Sequence, residues 1–226
     1  NDRFKVAALL RPTSNTQRID DLLGRVRRID GDLRHVDAAE PAIAAFAPDT
    51  VLHLAWAGVT NAFRNDPEQI DNVEATVNLL RLSQRIGVRH WIGLGSQAEY
   101  GPHEGPLRED APNCPTTLYG VTKLCACMLA QHLCATAGIR FAWLRLFSAY
   151  GPTDDPSWMI PYLTLRLSAG ERPALTAGRQ RWDYVYVDDA AEAIVRVAET
   201  PTATGIFNLG SGRTATIREI AERIRD

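Results

Sequence analysis

Three side chains in this sequence have the types and spacing for proton chemistry at a hydroxyl-bearing carbon: Ser96, Tyr119 and Lys123. Ser96 closes the apolar run His90-Trp91-Ile92-Gly93-Leu94-Gly95 and is followed by Gln97-Ala98-Glu99-Tyr100-Gly101. An apolar run that ends in a polar turn predicts a buried strand delivering Ser96 at its carboxyl end. Tyr119 and Lys123 stand four apart near the head of the apolar-periodic stretch 116–137, a predicted helix on which they share one face. A free phenol, with a pKa of about 10, is a poor base near neutrality. A lysine ammonium held nearby is expected to favour the phenolate and lower that value. The tyrosine could then exchange a proton with a substrate hydroxyl as hydride moves, while Ser96 orients the same oxygen. Tyr-x-x-x-Lys alone is common on helix surfaces, so the argument rests on the elements that position the trio.

Those elements alternate. Residues 4–10 read as a strand, 11–15 as a turn and 16–23 as a short helix. A strand at 26–29 ends at Gly31-Asp32-Leu33, a helix follows over 36–46, and a strand over 49–54 runs into Ala55-Trp56-Ala57-Gly58. Apolar residues at Ile70, Val73, Val77, Leu80 and Leu82 predict a helix over 66–86. Beyond the Ser–Tyr–Lys unit come a strand at 141–147, a helix at 159–167, a strand at 183–187, a helix opened by Asp188-Asp189 and reaching 198, a strand at 206–209 and a helix at 216–225. Strands alternating with helices predict an α/β fold with a parallel, doubly wound sheet, which binds ligands at the carboxyl ends of its strands.

Composition narrows the function classes. The chain has 226 residues, 45% hydrophobic and 23% charged, enough for one domain, or one large and one small. A net charge of −2 offers no nucleic-acid surface. No apolar run nears the ~20 residues that span a bilayer, and no secretory signal is expected. The four cysteines are Cys114, Cys125, Cys127 and Cys134. Their spacing fits neither a zinc site nor a disulfide framework, so they read as free thiols packed as small apolar residues, which suits the cytoplasm.

The motifs Gly95-Ser96-Gln97-Ala98-Glu99-Tyr100-Gly101 and Leu118-Tyr119-Gly120-Val121-Thr122-Lys123 resemble the extended short-chain dehydrogenase/reductase family. Within it, the chain resembles the NAD(P)-dependent nucleotide-sugar epimerases, dehydratases and 4-ketoreductases, over nearly its whole length. The resemblance implies a Rossmann-like sheet holding NAD(P)(H). Asp32 and Leu33 would bracket the adenine, and Ala55 and Trp56, with Leu54, the ribose and pyrophosphate side. Asn72, Phe147 and Ser148 join the cofactor set, and Tyr119 and Lys123 serve both cofactor and chemistry. It further implies a Rossmann domain over 1–150 and 183–199, and a smaller substrate lobe over 151–182 and 200–226. The stretch Gly178–Asp189 matches the family's Arg-x-Asp-aromatic-Val-x-Val-x-Asp pattern. Arg181 carries over as a ligand of the substrate's diphosphate, beside Ser96, Gln97 and Tyr119 as substrate residues. The competing reading of Arg181 is an ion pair with Asp183 or Glu171. A homodimer is expected through helices 66–86 and 116–137, meeting their symmetry mates as a four-helix bundle.

Two features set limits. A dinucleotide fold opens with a strand, a Gly-x-Gly-x-x-Gly loop and a helix N-terminus that meets the pyrophosphate. Here the first strand is expected to be missing, with 4–10 as the second, so the chain reads as a piece of a longer enzyme or one whose disordered ends are omitted. Gly93-x-Gly95-x-x-Ala98 and Gly210-x-Gly212-x-x-Ala215 are decoys, the second matching a closing motif of the epimerases. The second strand ends in Leu10-Arg11, with Ser14 and Arg18 near, where NAD users often carry an acid, and this leans toward NADP(H). Gln97 and Ala98 stand where the dehydratases place acids, which speaks against dehydration. C4 epimerisation and 4-keto reduction both remain. The alternatives are a reductase of a non-nucleotide carbonyl and an idle NAD(P)-sensing protein; intact Ser96, Tyr119 and Lys123 argue against the last.

Overall fold

A computed structural model describes residues 3–226. The chain divides into two compact units: the first takes it up to Arg145 together with Thr200–Phe207, the second comprises Leu146–Glu199 and Asn208–Asp226.

In the first unit, β1 (Ala7–Leu10) pairs in parallel with β2 (Arg27–Asp30), Ala7 opposite Arg27 and Leu10 opposite Asp30. A separate sheet has the order β3 (Thr50–His53), β4 (His90–Ser96), β5 (Arg140–Leu146), β8 (Gly205–Leu209), with β3 and β4 parallel. Helices α1 (Glu40–Phe46), α2 (Gln69–Arg85) and α3 (Leu118–Ala137) supply the connections. Between His90 and Ser96 β4 is apolar because a central parallel strand is covered on both faces, and every residue of it but Leu94 is buried. The Thr117 side chain accepts from the Gly120 N–H to start α3, and Gly138, at φ 67°, ends it in the left-handed region. The core joins Leu79, Leu80 and Leu82 of α2, Ala126, Cys127, Ala130 and Cys134 of α3, and Trp91, Phe141 and Trp143 of the sheet. Glycine at two positions of β4 is a packing requirement. A Cβ on Gly93 would lie 2.3 Å from the Trp143 ring, and one on Gly95 would lie 2.1 Å from the Trp143 Nε1.

In the second unit, β6 (Ser148–Tyr150) runs parallel to β7 (Arg181–Tyr186), and β7 pairs antiparallel with β9 (Thr214–Thr216). Three helices complete it, α4 (Met159–Ser168), α5 (Val187–Glu199) and α6 (Ile217–Arg225), the last opened by a reciprocal cap between Thr216 and Glu219.

Several expectations shift. Residues 16–23 form successive turns, with Ile19 N bonded to Thr16 O at 2.7 Å and Leu22 N to Ile19 O at 2.9 Å, then a 3-10 turn at Leu23–Arg25. Eight residues with no buried face do not overcome helix nucleation. The expected 36–46 helix breaks into a 3-10 segment, Leu33–Ala39, and α1, because Pro41 suits a first turn and restarts the helix there. The three-residue strands β6 and β9 are too short to show alternation in a sequence. Contacts group 183–199 with the second unit and 200–207 with the first, unlike the expected division, because β7 pairs with β6 and β9 whereas β8 joins the four-stranded sheet. Cys127 and Cys134 are buried as expected of apolar thiols, while Cys114 and Cys125 are exposed. Among the described residues, no helix is long and apolar enough to cross a membrane, and no group of His, Cys, Asp or Glu could hold a metal ion.

Candidate functional site

Ser96 ends β4 and caps a single helical turn, Gln97–Glu99. Its Oγ accepts from the Ala98 N–H at 3.1 Å. Its own N–H donates to Glu99 Oε1 at 2.9 Å. Tyr119 sits in the first turn of α3, whose entry is fixed from the loop before α2: Tyr119 N donates to Arg64 O at 2.8 Å, and Leu118 N to Asn65 Oδ1 at 3.0 Å. One turn on, Lys123 Nζ donates to Leu94 O at 2.6 Å and lies 3.8 Å from the Trp56 ring centroid. The trio is thus brought together, with Trp56 edge-on to Tyr119 at 6.3 Å.

The electrostatics differ from expectation. Burial pushes the Tyr119 phenol up, and it outweighs the downward pull of the Ser96 hydrogen bond and of the Arg64 guanidinium 5.1 Å from its ring. Lys123 is not the group that depresses Tyr119. Burial instead lowers Lys123 itself to about 7, against the opposing charge of Glu99. Both groups lie where water is excluded, so desolvation exceeds their mutual effect.

Beside the trio, a cleft of ≈ 550 Å³ opens at the carboxyl ends of β1, β2 and β3, and Arg11, Asp32, Leu33, Ala55, Trp56 and Asn72 all line it. Its size and position suit the adenosine half of a dinucleotide. Asp32 is largely committed to its own turn. It accepts from Arg34 N at 3.0 Å and pairs with the Arg34 guanidinium at 2.7 Å, which holds its carboxyl at about 2. Asn72 shapes the wall: its Oδ1 accepts from Ala57 N at 2.9 Å. Leu54 points away, 48% exposed and outside the lining, as alternation beside His53 and Ala55 requires. Phe147 and Ser148 belong to the second unit, where Phe147 N donates to Leu209 O at 2.9 Å.

Neither glycine pair is a phosphate cradle. Trp143 fills the space over Gly93 and Gly95. The Ser211 and Gly212 N–H groups both donate to the Asp183 carboxylate at 2.8 Å. With Asp183 so occupied and Glu171 bonded to Arg166, Arg181 takes neither ion pair weighed for it; its Nε and Nη2 donate to Thr214 Oγ1 and O at 2.9 and 2.8 Å. Gln97 opens the turn after Ser96.

The sequence reading missed three supports. Gln69, buried in α2, accepts from Trp56 Nε1 at 2.9 Å and donates to Gly58 O at 2.7 Å and Phe63 O at 3.0 Å, fixing the cleft loop. Arg64 flanks Tyr119. Glu99 turns inward to Trp143 Nε1 at 3.0 Å and Arg145 Nε at 2.7 Å. Only Glu99 had a visible signal, the Ser-x-x-Glu spacing of a reciprocal cap.

The model of the NAD dependent epimerase/dehydratase family matches residues 3–210. A UDP-glucose 4-epimerase from Corynebacterium glutamicum is 29% identical over 221 residues, covering 88% of this chain and 66% of its own. A UDP-glucuronate 4-epimerase from Thermodesulfobacterium geofontis is 28% identical over 202 residues, covering 85% and 62%. The chain therefore spans about two thirds or less of the length of these curated relatives. Among solved structures, the UDP-glucose 4-epimerase of Thermus thermophilus in complex with NAD aligns with TM-score 0.84 and 26% identity, over 97% of this chain and 74% of that one. The family match covers most of the sequence, and the chain accordingly belongs to the NAD dependent epimerase/dehydratase family.

Proposed function

We propose that this chain is the catalytic part of an enzyme that epimerises a nucleoside-diphosphate sugar at C4 with NAD. The observation that carries the proposal is the tie between α3 and the strand that ends in Ser96: Lys123 Nζ donates to Leu94 O at 2.6 Å, with Tyr119 one turn earlier on the same helix. Bound in the cleft, the dinucleotide would supply the reversible hydride chemistry at the sugar carbon. The chain's residues do the rest. Tyr119 exchanges the proton of the C4 hydroxyl, Ser96 donates a hydrogen bond that holds the reacting oxygens in line, and Lys123 binds the nicotinamide ribose. Arg11, Asp32, Leu33, Ala55, Trp56 and Asn72 form the adenosine end, and Gln97 meets the sugar. Phe147 and Ser148 are further cofactor ligands of the proposal, and Arg181 is its ligand for the diphosphate.

The names of the relatives support epimerisation over 4-keto reduction. NAD in the Thermus structure supports NAD; Arg11 is the residue that favours NADP. Dimerisation is part of the proposal. Val121, Met128 and Leu129 of α3 and Ile70 of α2 are exposed apolar residues on the two helices expected to pair. The free thiols suit the cytoplasm.

The test is to supply the full-length protein with UDP-glucose or UDP-glucuronate and follow C4 inversion by NMR, without added reductant. Interconversion with catalytic NAD supports the reading. Stoichiometric consumption of NADPH with a 4-keto sugar, and no interconversion, would replace it with reduction.

A further inference from the structure

Glu99 is fully buried, at 0% exposure, beside Arg145 at 1%, whereas the other ion pairs among the described residues lie at the surface. Its carboxylate accepts three donors: Ser96 N at 2.9 Å and Trp143 Nε1 at 3.0 Å on Oε1, and Arg145 Nε at 2.7 Å on Oε2. Arg145 is held in turn, its guanidinium 4.3 Å from the Tyr100 ring centroid and its Nη1 donating to Glu109 O at 3.4 Å. A buried ion pair rarely adds stability over a well-packed apolar pair, so stability alone does not account for it. Nor does the turn need a carboxylate to form, because the Ser96 hydroxyl already accepts from Ala98 N.

We propose that Glu99 is a positioning residue of the proposed epimerase site, acting through the Ser96 main chain, with Arg145 and Trp143 as its anchors. The inference rests on the reading of Ser96, Tyr119 and Lys123 given above. Glu99 grips the N–H of Ser96, the residue proposed to act with Tyr119. The grip is rigid because Trp143, which shares Oε1, is wedged against Gly93 and Gly95 on the strand that carries Ser96. A shift of the turn therefore requires a shift of the strand. The carboxylate also brings negative charge toward both partners on α3, favouring the ammonium of Lys123 and the neutral phenol of Tyr119. The other titratable groups around it are Arg145 on β5, Tyr100 in the following loop and Cys127 on α3.

The experiment compares Glu99→Gln with the double variant Glu99→Leu/Arg145→Met in the full-length protein. Three readouts are taken: thermal midpoint, steady-state kinetics, and phenol ionisation by ultraviolet difference against Tyr119→Phe. For Glu99→Gln, kcat falls roughly 10- to 100-fold, as expected when a reacting group is misplaced by a fraction of an ångström to about an ångström, while KM stays within about twofold. The Tyr119 phenol titrates at lower pH than in the wild type, since a nearby negative charge is gone. The double variant recovers the thermal midpoint but not kcat. A double variant with native kcat, or a phenol titration unmoved in Glu99→Gln, overturns the proposal. The titration needs no substrate, so it decides the role of Glu99 even if the wild type proves not to epimerise a UDP-sugar.

Discussion

At Tyr119 two requirements conflict. Removing water strengthens every interaction with a bound sugar, but it also raises the cost of the phenolate, and the group ends above its ordinary pKa. Tyr119 is thus set to hold its proton until a substrate oxygen is in place to exchange it. Tyr119→Phe keeps the ring against Trp56 and Arg64 and removes only the oxygen. It is expected to lower kcat by about 10²–10⁴-fold, with the cofactor Kd nearly unchanged. Lys123→Ala removes the group that both Trp56 and Leu94 hold, and both the Kd and the rate should suffer. Calorimetry with NAD beside steady-state kinetics separates the two effects; near-normal turnover of the phenylalanine variant would take Tyr119 out of the mechanism.

Among the elements, β4 was legible and its glycines were not. The run 90–96 announced a buried strand, and the four-residue spacing of Tyr119 and Lys123 announced their shared face on α3. Gly93 and Gly95 could be set aside as a decoy phosphate loop, but their packing role stayed hidden because a sequence does not reveal what lies across a sheet, and their partner, Trp143, is far along the chain. The same blindness hid Gln69 and Arg64, whose roles depend on where the 55–65 loop folds back. Glu99 was hidden for a different reason: its cap spacing was visible, but its burial depends on β5. Gly95→Ala would put a methyl 2.1 Å from Trp143 Nε1 and 2.5 Å from Glu99 Oε1. A loss of about 1–3 kcal/mol or more is expected from such overpacking. Gly24→Ala, with nothing within 4 Å, should be near neutral. Urea denaturation of the two variants provides the comparison, and equal midpoints would mean that the strand relaxes freely.

For the whole molecule, the buried histidines set an acid limit. Burial lowers His53, bonded to Thr76 Oγ1 at 2.9 Å, to about 3, and His90, with neither ring nitrogen partnered among the described residues, to about 4. Both take up protons near 6.5 when unfolded and resist them when folded. Their stabilisation is therefore present above 6.5 and is lost as the pH falls toward 4, by up to about 1.4 kcal/mol per pH unit for each. Asp32 acts only at still lower pH. Urea midpoints should decline steadily from pH 7 to pH 5, with a shallower slope in His90→Leu; a flat profile would contradict the assignment. Assembly is a second property at this scale. Met128 is 63% exposed on α3. Met128→Glu is expected to convert a full-length dimer into a monomer in sedimentation, whereas a wild type already monomeric at micromolar concentration would end the dimer proposal.

The packing of Trp143 over two glycines also has a consequence for descent. A single replacement at any of the three positions meets either a collision or a hole, so the neutral route between sequences passes through paired changes. Across relatives, an indole at this place on β5 should therefore be inherited together with small residues at positions 93 and 95, and lineages that lost the indole should be those whose strand admits side chains there.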